Sequence, residues 1–357
     1  MRIDTEVKYD YQDVLIRPKR SILTSRKEVS LERTFKFAHS PKIWTGVPIM
    51  TANMDSSGTF SMAEEFSKHK MITCLHKFYS VEELEEFFPK FNNPDYIAYT
   101  LGIRDGDFEK IKLMKEKGLD KYFNFICLDV PNGYLERFTK KVKELRELFP
   151  EHIIIAGNIV TNEMAEELIL QGADIAKVGI GPGAACTTRL KTGVGYPQLS
   201  ATIECADAAH GITKGNLGCG LIIADGGVVH SSDIAKAFCG GADFVMIGSM
   251  FAGYEESGGE VVERDGKKFK THFGMSSSAA MKKFYGKKES HRASEGRETL
   301  IPYKGEIKYL IEDIFGSLRS TGTYIGARKL KEFSKRTTFI IVNQQLNTSI
   351  AQYETKL

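Results

Sequence analysis

Eight short apolar segments, each followed by a stretch with helical periodicity, occur along the chain from about residue 46 onward. They span residues 47–52, 72–75, 96–101, 123–130, 153–157, 175–180, 221–225 and 244–248. Nearly continuous apolar strands that alternate with helices are typical of a parallel sheet whose faces are covered by helices. Eight such units predict a closed (β/α)8 barrel, the TIM-barrel architecture.

The stretches between the strands carry clear helix signals. Ser80 and Glu83 form the sequence pattern of a capping box at the start of one helix. The clearest amphipathic pattern spaces its apolar residues by three and four, at Leu135, Phe138, Val142, Leu145 and Leu148. A doubly wound open sheet would show the same strands and is the alternative fold. No G-x-G-x-x-G pattern follows an early strand, which weakens the dinucleotide-binding form of that alternative.

Two of the units resemble each other closely. Residues 172–181 and 241–249 both begin with Gly-Ala-Asp, continue as an apolar strand and reach a glycine that opens the next loop. The similarity indicates that one strand–helix unit recurs along the chain.

The 357 residues are expected to form a single domain, because no linker or change of composition divides them. Residues 1–45 precede the first barrel strand and are predicted to pack across one end of the barrel. Residues 46–332 form the predicted catalytic barrel, and residues 333–357 form a C-terminal tail. The long, polar, lysine-rich stretch at residues 256–305 is predicted to be a mobile flap over the active site.

Composition and charge argue against several classes of protein. No apolar run approaches the roughly 20 residues that cross a bilayer, and residues 1–4 lack the apolar core of a secretory signal. A net charge of +3 is too small to indicate a nucleic-acid partner. The six cysteines lack CxxC spacing, which favours reduced thiols and a cytoplasmic location. The histidines and carboxylates show no spacing typical of metal ligands.

A glycine-rich loop at residues 181–189 follows the sixth strand and carries Cys186. A thiol on such a loop can reach a substrate, and Thr188, two residues later, can accept or donate a proton. The other five cysteines lack this setting and are expected to be structural: Cys74, Cys127, Cys205, Cys219 and Cys239. Cys186 is therefore the candidate nucleophile.

Glycine-rich turns follow the seventh and eighth strands, where barrels often bind phosphate. Asp225-Gly226-Gly227 comes after the seventh strand and Gly248-Ser249 after the eighth. Their backbone amides can hold phosphate oxygens, and the Asp225 carboxylate suits ribose hydroxyls, so a phosphorylated nucleoside is the expected ligand. The alternative is that both are simple strand-to-helix turns. Asp129 ends the fourth strand and Lys77 follows the second, so both are expected at the same mouth.

Over nearly its whole length the chain resembles the family of inosine-monophosphate (IMP) dehydrogenases and guanosine-monophosphate (GMP) reductases. The shared features are the loop at 181–189, Asp225-Gly226-Gly227, Gly248-Ser249 and Gly274-Met275-Ser276. Other segments resemble the reductase branch: residues 53–55, 129, 132–134, 195–198, 255–259 and 292–296. Dehydrogenases usually carry an inserted domain of paired CBS modules and an Arg-Tyr pair that activates water. This sequence has no room for the inserted domain and no equivalent of the Arg-Tyr pair.

The resemblance to the reductase branch implies a reaction in which GMP and NADPH give IMP, ammonia and NADP⁺. It implies that the Cys186 thiolate attacks purine C2, that ammonia leaves, and that the resulting thioimidate receives a hydride. It also implies that Thr188 and Glu295 carry the proton that ammonia takes away.

The same resemblance implies three sets of binding residues. The nucleotide set is Asp225, Gly226, Gly227, Gly248, Ser249, Gly274, Met275, Ser276, Arg292, Ala293, Ser294 and Gly296. The NADPH set is Ser25, Arg26, Lys77, Asp129, Val130, Pro131, Ile180, Gly181, Met275 and Ser276, with Ser320, Thr321, Gly322 and Thr323 from a neighbouring subunit of a homotetramer. A K⁺ site is implied at Gly181, Gly183, Cys186 and Arg189, with the carbonyls of the first three as ligands.

Several departures from the reductase pattern affect the expected contacts. Ser249 stands where reductases more often have a second glycine, and Ala184-Ala185 replaces a pair that contains serine. Residues 212–219 look like an insertion, and residues 287–291 also differ. The alternatives are an IMP dehydrogenase without its regulatory domain, a flavin-dependent barrel oxidoreductase, and a silent barrel that only binds purine nucleotides or a partner protein.

Overall fold

The computed structural model describes residues 1, 3–213, 217–274, 277–285 and 295–343. Its strands are β1 (Val14–Ile16), β2 (Arg33–Lys36), β3 (Ile43–Gly46), β4 (Ile49–Thr51), β5 (Thr73–Leu75), β6 (Ile97–Leu101), β7 (Phe125–Asp129), β8 (Ile153–Ile159), β9 (Ile175–Val178), β10 (Leu221–Asp225), β11 (Phe244–Ile247), β12 (Val261–Arg264), β13 (Lys267–Phe273), β14 (Glu298–Pro302) and β15 (Phe339–Ile341). Its α-helices are α1 (Phe60–Lys68), α2 (Val81–Phe91), α3 (Asp105–Glu116), α4 (Glu136–Leu148), α5 (Asn162–Leu170), α6 (Thr188–Thr192), α7 (Gln198–His210), α8 (Ser231–Cys239), α9 (Ser278–Tyr285), α10 (Lys308–Ile325) and α11 (Phe333–Arg336).

Strands β4 to β11 form the predicted barrel. They are all parallel and follow the order β4-β11-β10-β9-β8-β7-β6-β5. The two end strands also meet, because Met50 and Ile72 form a parallel bridge and the Thr51 amide donates to the Ile72 carbonyl at 3.1 Å. The (β/α)8 prediction is therefore confirmed, and each of the eight predicted strands is one of β4–β11, with ends displaced by at most 2 residues.

The hairpin of β2 and β3 covers the amino ends of the barrel strands. Its buried Phe35 and Trp44 pack on Phe244 at ring-centroid distances of 4.7 and 5.4 Å. Trp44 also packs edge-on against Phe125 at 6.1 Å. Phe125 and Phe244 begin β7 and β11, so aromatic rings fill this end of the barrel. The carboxyl ends of the strands are left for ligands, as is general in this fold.

The two similar sequence units place an aspartate in equivalent structural positions. Asp174, just before β9, accepts hydrogen bonds from the Ile154 amide at 2.9 Å and from Arg146 at 2.5 Å. Asp243, just before β11, accepts one from the Ile222 amide at 3.1 Å. In both units the carboxylate binds the start of the preceding barrel strand. The repeated Gly-Ala-Asp is thus a structural element rather than part of the site.

Residues outside the barrel form two smaller sheets besides the hairpin. Strands β12, β13 and β14 make an antiparallel sheet within the stretch predicted to be a flap, and α9 follows β13. Strand β15 pairs antiparallel with β1, so the chain after the barrel contacts the N-terminal segment. Within the described ranges, no helix combines the length and apolar character that crossing a membrane requires.

Candidate active site

A cavity of about 350 Å³ opens at the carboxyl ends of the barrel strands. Its walls come from the loops after β4, β5, β7, β9, β10 and β11, and from residues beside β13 and β14. The predicted site residues in these walls are Lys77, Asp129, Val130, Pro131, Ile180, Gly181, Gly183, Cys186, Thr188, Asp225, Gly226, Gly227, Gly248, Ser249, Gly274, Glu295 and Gly296. The structure therefore brings most of the sequence-predicted site into one cavity of a size that suits a small ligand.

A second group of predicted residues lies away from this cavity. Ser25 caps a short turn that begins at Arg26 and contacts α10. The predicted residues 320–323 lie on the same helix, and neither group lines the cavity. Met275, Ser276, Arg292, Ala293 and Ser294 lie outside the described residues.

Cys186, Thr188 and Glu295 form a continuous hydrogen-bonded chain. The Cys186 thiol donates to Thr188 Oγ1 at 3.2 Å, and the Thr188 hydroxyl donates to Glu295 Oε2 at 2.5 Å. The backbone fixes this alignment, because the Thr187 amide donates to the Glu295 carbonyl at 2.8 Å and Cys186 pairs with Gly296 in an antiparallel bridge. A proton on the thiol therefore has a direct route to a carboxylate.

Cys186 differs from the other five cysteines, all of which lie among the described residues. Cys186 is half-buried, as is Cys219, but of the six cysteines only Cys186 lines the cavity. Burial raises the pKa of the Cys205 thiol, and it raises the pKa of Cys239 to about 12. Such thiols remain protonated and unreactive at neutral pH.

Arg189 anchors the loop that carries Cys186. Its guanidinium binds the Asp10 carboxylate at 2.8 Å and donates to the Tyr196 carbonyl at 2.5 Å. Its side chain packs so closely that a Cβ on Gly181 would lie 2.7 Å from Arg189 Cγ, and Gly181 has a φ of +86°. Only glycine satisfies both conditions. The Gly193 amide donates to the Arg189 carbonyl at 3.2 Å, and assignment of Arg189 to a K⁺ site stays a prediction.

Lys177 is a central residue that the sequence analysis missed. It lies on β9, only 2 % exposed, with Nζ 2.7 Å from Asp129 Oδ1 and 2.8 Å from Asp225 Oδ2. Burial opposes the charge on Lys177, but the two carboxylates outweigh this effect and hold its pKa well above the ordinary value. The ammonium thus connects a predicted cofactor residue to a predicted nucleotide residue. A lysine within an otherwise apolar strand was the available sequence signal.

Asn158 completes the surroundings of Asp225. Its side-chain amide donates to Asp225 Oδ2 at 2.8 Å and to the Gly179 carbonyl at 2.7 Å. Gly226 and Gly227 follow with φ values of +87° and +78°, a conformation that favours glycine. The turn after β10 is therefore held in one geometry, with the carboxylate and the adjacent backbone facing the cavity.

The loop after β5 forms the opposite wall of the cavity. Lys77 Nζ lies 3.3 Å from Asp107 Oδ1, which fixes its position at the mouth. Phe78, also in the wall, stacks on Phe284 of α9 with ring centroids 3.7 Å apart. Lys283 of the same helix pairs with the buried Asp55 at 2.9 Å. Two contacts thus dock α9 against residues at the cavity.

The chain is similar to known proteins over nearly its whole length. Residues 8–350 match the family model described as IMP dehydrogenase / GMP reductase domain. GMP reductase 2 of Homo sapiens is 55 % identical over 348 residues, which cover 97 % of each chain. GMP reductase of Escherichia coli O81 (strain ED1a) is 53 % identical over 352 residues, covering 97 % of this chain and 98 % of that protein. GMP reductase of Ascaris suum is 51 % identical over 357 residues, covering 99 % and 98 %. The chain belongs to the IMP dehydrogenase / GMP reductase family.

Proposed function

We propose that this protein is a GMP reductase, which converts GMP to IMP and ammonia at the expense of NADPH. The observation that carries the proposal is the hydrogen-bonded chain from Cys186 through Thr188 to Glu295, located in the barrel cavity. Relatives named GMP reductase that are more than half identical over nearly the whole chain support the same reaction.

The proposed first step joins Cys186 to the purine. The thiol proton moves through Thr188 to Glu295, and the thiolate forms a bond to C2 of GMP. The C2–N bond then breaks, and the same proton returns through Thr188 to the departing amine, which leaves as ammonia. A thiolate is both a good nucleophile and a good leaving group, and an amine needs an acid to depart readily. The product on the enzyme is a thioimidate on Cys186.

The second step removes the purine from Cys186. NADPH, when bound, supplies a hydride to C2. The C2–S bond then breaks, which returns the electron pair to sulfur and releases IMP. Lys77, Asp129, Val130, Pro131, Ile180 and Gly181 share the cavity with Cys186 and are the residues proposed to hold the nicotinamide half. Lys177 would orient Asp129 for this contact, because it binds that carboxylate directly.

The residues proposed for the other half of NADPH lie together on a different surface. The turn that Ser25 caps and Arg26 begins contacts α10, the helix that carries residues 320–323, and none of these residues lines the cavity that holds Cys186. One chain would therefore bind the nicotinamide half, and residues 320–323 would come from a neighbouring copy, as the family resemblance implies. Because the turn of Ser25 and Arg26 also lies outside the cavity, we extend this proposal and take that turn from the neighbouring copy as well. This arrangement supports the proposed homotetramer, and the proposed cytoplasmic location stays a prediction.

A K⁺ ion is the further cofactor we propose. The carbonyl oxygens of Gly181, Gly183 and Cys186 lie on one short loop, and they are the type of ligand that hard cations prefer. The Gly183 carbonyl already accepts the Cys186 amide at 2.9 Å, which leaves one lone pair for a cation. The ion would fix the loop and thereby the direction of the thiol.

The proposal is tested by following reduced nicotinamide absorbance with GMP, NADPH and K⁺ present. A GMP-dependent fall, with an equal amount of ammonia released, is the expected result. NADH formation from IMP and NAD⁺ in place of this reaction would identify an IMP dehydrogenase. A yellow protein with bound flavin would favour a flavin-dependent oxidoreductase, and absence of all three results would leave a nucleotide-binding protein without catalysis.

A further inference from the structure

His272 lies on β13 and connects two serines at the edge of the cavity. It is 4 % exposed, with Nδ1 3.1 Å from Ser56 Oγ and Nε2 3.3 Å from Ser249 Oγ. Ser249 lines the cavity, in the turn that is predicted to bind the nucleotide phosphate, whereas His272 does not line it. Ser249 therefore lies between His272 and the cavity.

The environment keeps the His272 ring neutral. Burial lowers the pKa of His272 below its ordinary value, and the charge of Lys304 acts in the same direction, against the opposing effect of Asp55. A neutral imidazole has one N–H donor and one acceptor nitrogen. The two serine hydroxyls can each donate or accept, so the ring and its partners have two possible arrangements.

The two arrangements present different groups to the cavity. If Nδ1–H donates to Ser56, the Ser249 hydroxyl donates to Nε2 and turns its lone pairs outward. If the Ser56 hydroxyl donates to Nδ1, then Nε2–H donates to Ser249, whose own proton is free to donate into the cavity. A phosphate group at neutral pH carries mainly acceptor oxygens and matches only the second arrangement.

We propose that His272 is a positioning residue, which holds the Ser249 hydroxyl as a hydrogen-bond donor to the phosphate of the bound nucleotide. This inference rests on the proposed function, since GMP is the ligand that brings the phosphate. It assigns a role to the serine that replaces the second glycine expected in this turn. It also gives the β12–β14 sheet a direct contact with the phosphate turn, because β13 carries His272.

The test compares dissociation constants for GMP and for guanosine, which lacks the phosphate. In His272→Phe the affinity for GMP is expected to fall about 3- to 10-fold, the range for loss of one hydrogen bond, while guanosine affinity stays constant. His272→Gln, whose side-chain amide can replace the Nε2–H donor, is expected to restore most of the GMP affinity. His152→Phe is the matched control, because His152 is half-buried at the opposite end of the barrel, where its Nε2 contacts the Asp120 carbonyl at 3.0 Å.

A double variant separates positioning from general damage. In a Ser249→Gly background, His272→Phe is expected to have no further effect on GMP affinity, because the hydroxyl that it positions is absent. Additive losses, equal losses for GMP and guanosine, or unchanged GMP binding in His272→Phe would each overturn the inference. Failure of the unaltered protein to bind GMP would instead overturn the proposed function, and this inference with it.

Discussion

Replacing Lys177 by methionine is expected to destabilise the protein substantially. Methionine preserves most of the side-chain volume but leaves Asp129 and Asp225 facing each other without the ammonium that now lies 2.7 and 2.8 Å away. Removing one partner of a buried ion pair typically costs about 3–5 kcal/mol. Here the carboxylate side chains are 33 % and 18 % exposed, so water offsets part of the loss, and about 3 kcal/mol is expected.

This loss can be measured as a shift of the thermal midpoint. The average unfolding entropy per residue, applied to 357 residues, gives about 0.75 kcal/mol per degree, so Tm is expected to fall by about 4 °C. Calorimetry at one fixed protein concentration makes the comparison valid for an oligomer. Lys90→Met is the matched control, because Lys90 is 72 % exposed and should change Tm by less than about 1 °C. If Lys177→Met lowers Tm no more than Lys90→Met does, the inference that Lys177 compensates the charges of Asp129 and Asp225 is refuted.

Three other substitutions test separate parts of the structure. Thr188→Val is expected to lower kcat for GMP about 10²- to 10⁴-fold, because it interrupts proton transfer. Thr188→Ser keeps the hydroxyl and is expected to keep most of the activity. Equal losses of kcat in the two variants would contradict the proton route. Gly181→Ala should lower Tm more than Gly118→Ala. Both glycines have positive φ, but only at Gly181 would the new Cβ also collide with the Arg189 side chain. Equal shifts of Tm would argue against that close approach. His210→Gln should destabilise the protein most below about pH 6.5, with the difference shrinking as pH rises.

The direction of the pH dependence expected for His210→Gln follows from the hydrogen-bond partner of His210. Its Nε2 lies 2.7 Å from Asp243, and this hydrogen bond raises the pKa of His210 above its ordinary value despite partial burial. A raised pKa in the folded state gives stability that is complete below the pKa of the unfolded chain and disappears as pH passes through the folded value. Unfolding curves recorded from pH 5 to about 9 would show this trend. A stability difference that does not change with pH would contradict it.

The barrel was predictable because its signals are local. Each strand is a continuous apolar run, and each helix carries its own apolar face, so the eight units could be recognised without knowledge of their neighbours. The ends of the strands were less predictable. Ile180, for example, belongs to an apolar run, yet β9 ends at Val178, because Gly179 has a φ of +156° and turns the chain into the loop of Cys186.

The site was predictable only where its residues follow strands or belong to a recognised motif. Glu295 is 107 positions from Thr188, and only the family resemblance associated the two before the structure did. Lys177 has only a weak local signal, a lysine within an apolar strand, and His272 has none, because the importance of both comes from partners on other strands and loops. The family resemblance had assigned the turn of Ser25 and residues 320–323 to the same cofactor, but the contact of that turn with α10 within one chain came from the structure alone.

The most direct test of Cys186 as the nucleophile is rapid acid quenching during turnover with GMP and NADPH, followed by peptide mass analysis. The expected result is a peptide containing Cys186 whose added mass equals GMP minus ammonia, together with loss of turnover in Cys186→Ala. An adduct on a different residue, or turnover that survives in Cys186→Ala, would contradict covalent catalysis by this thiol.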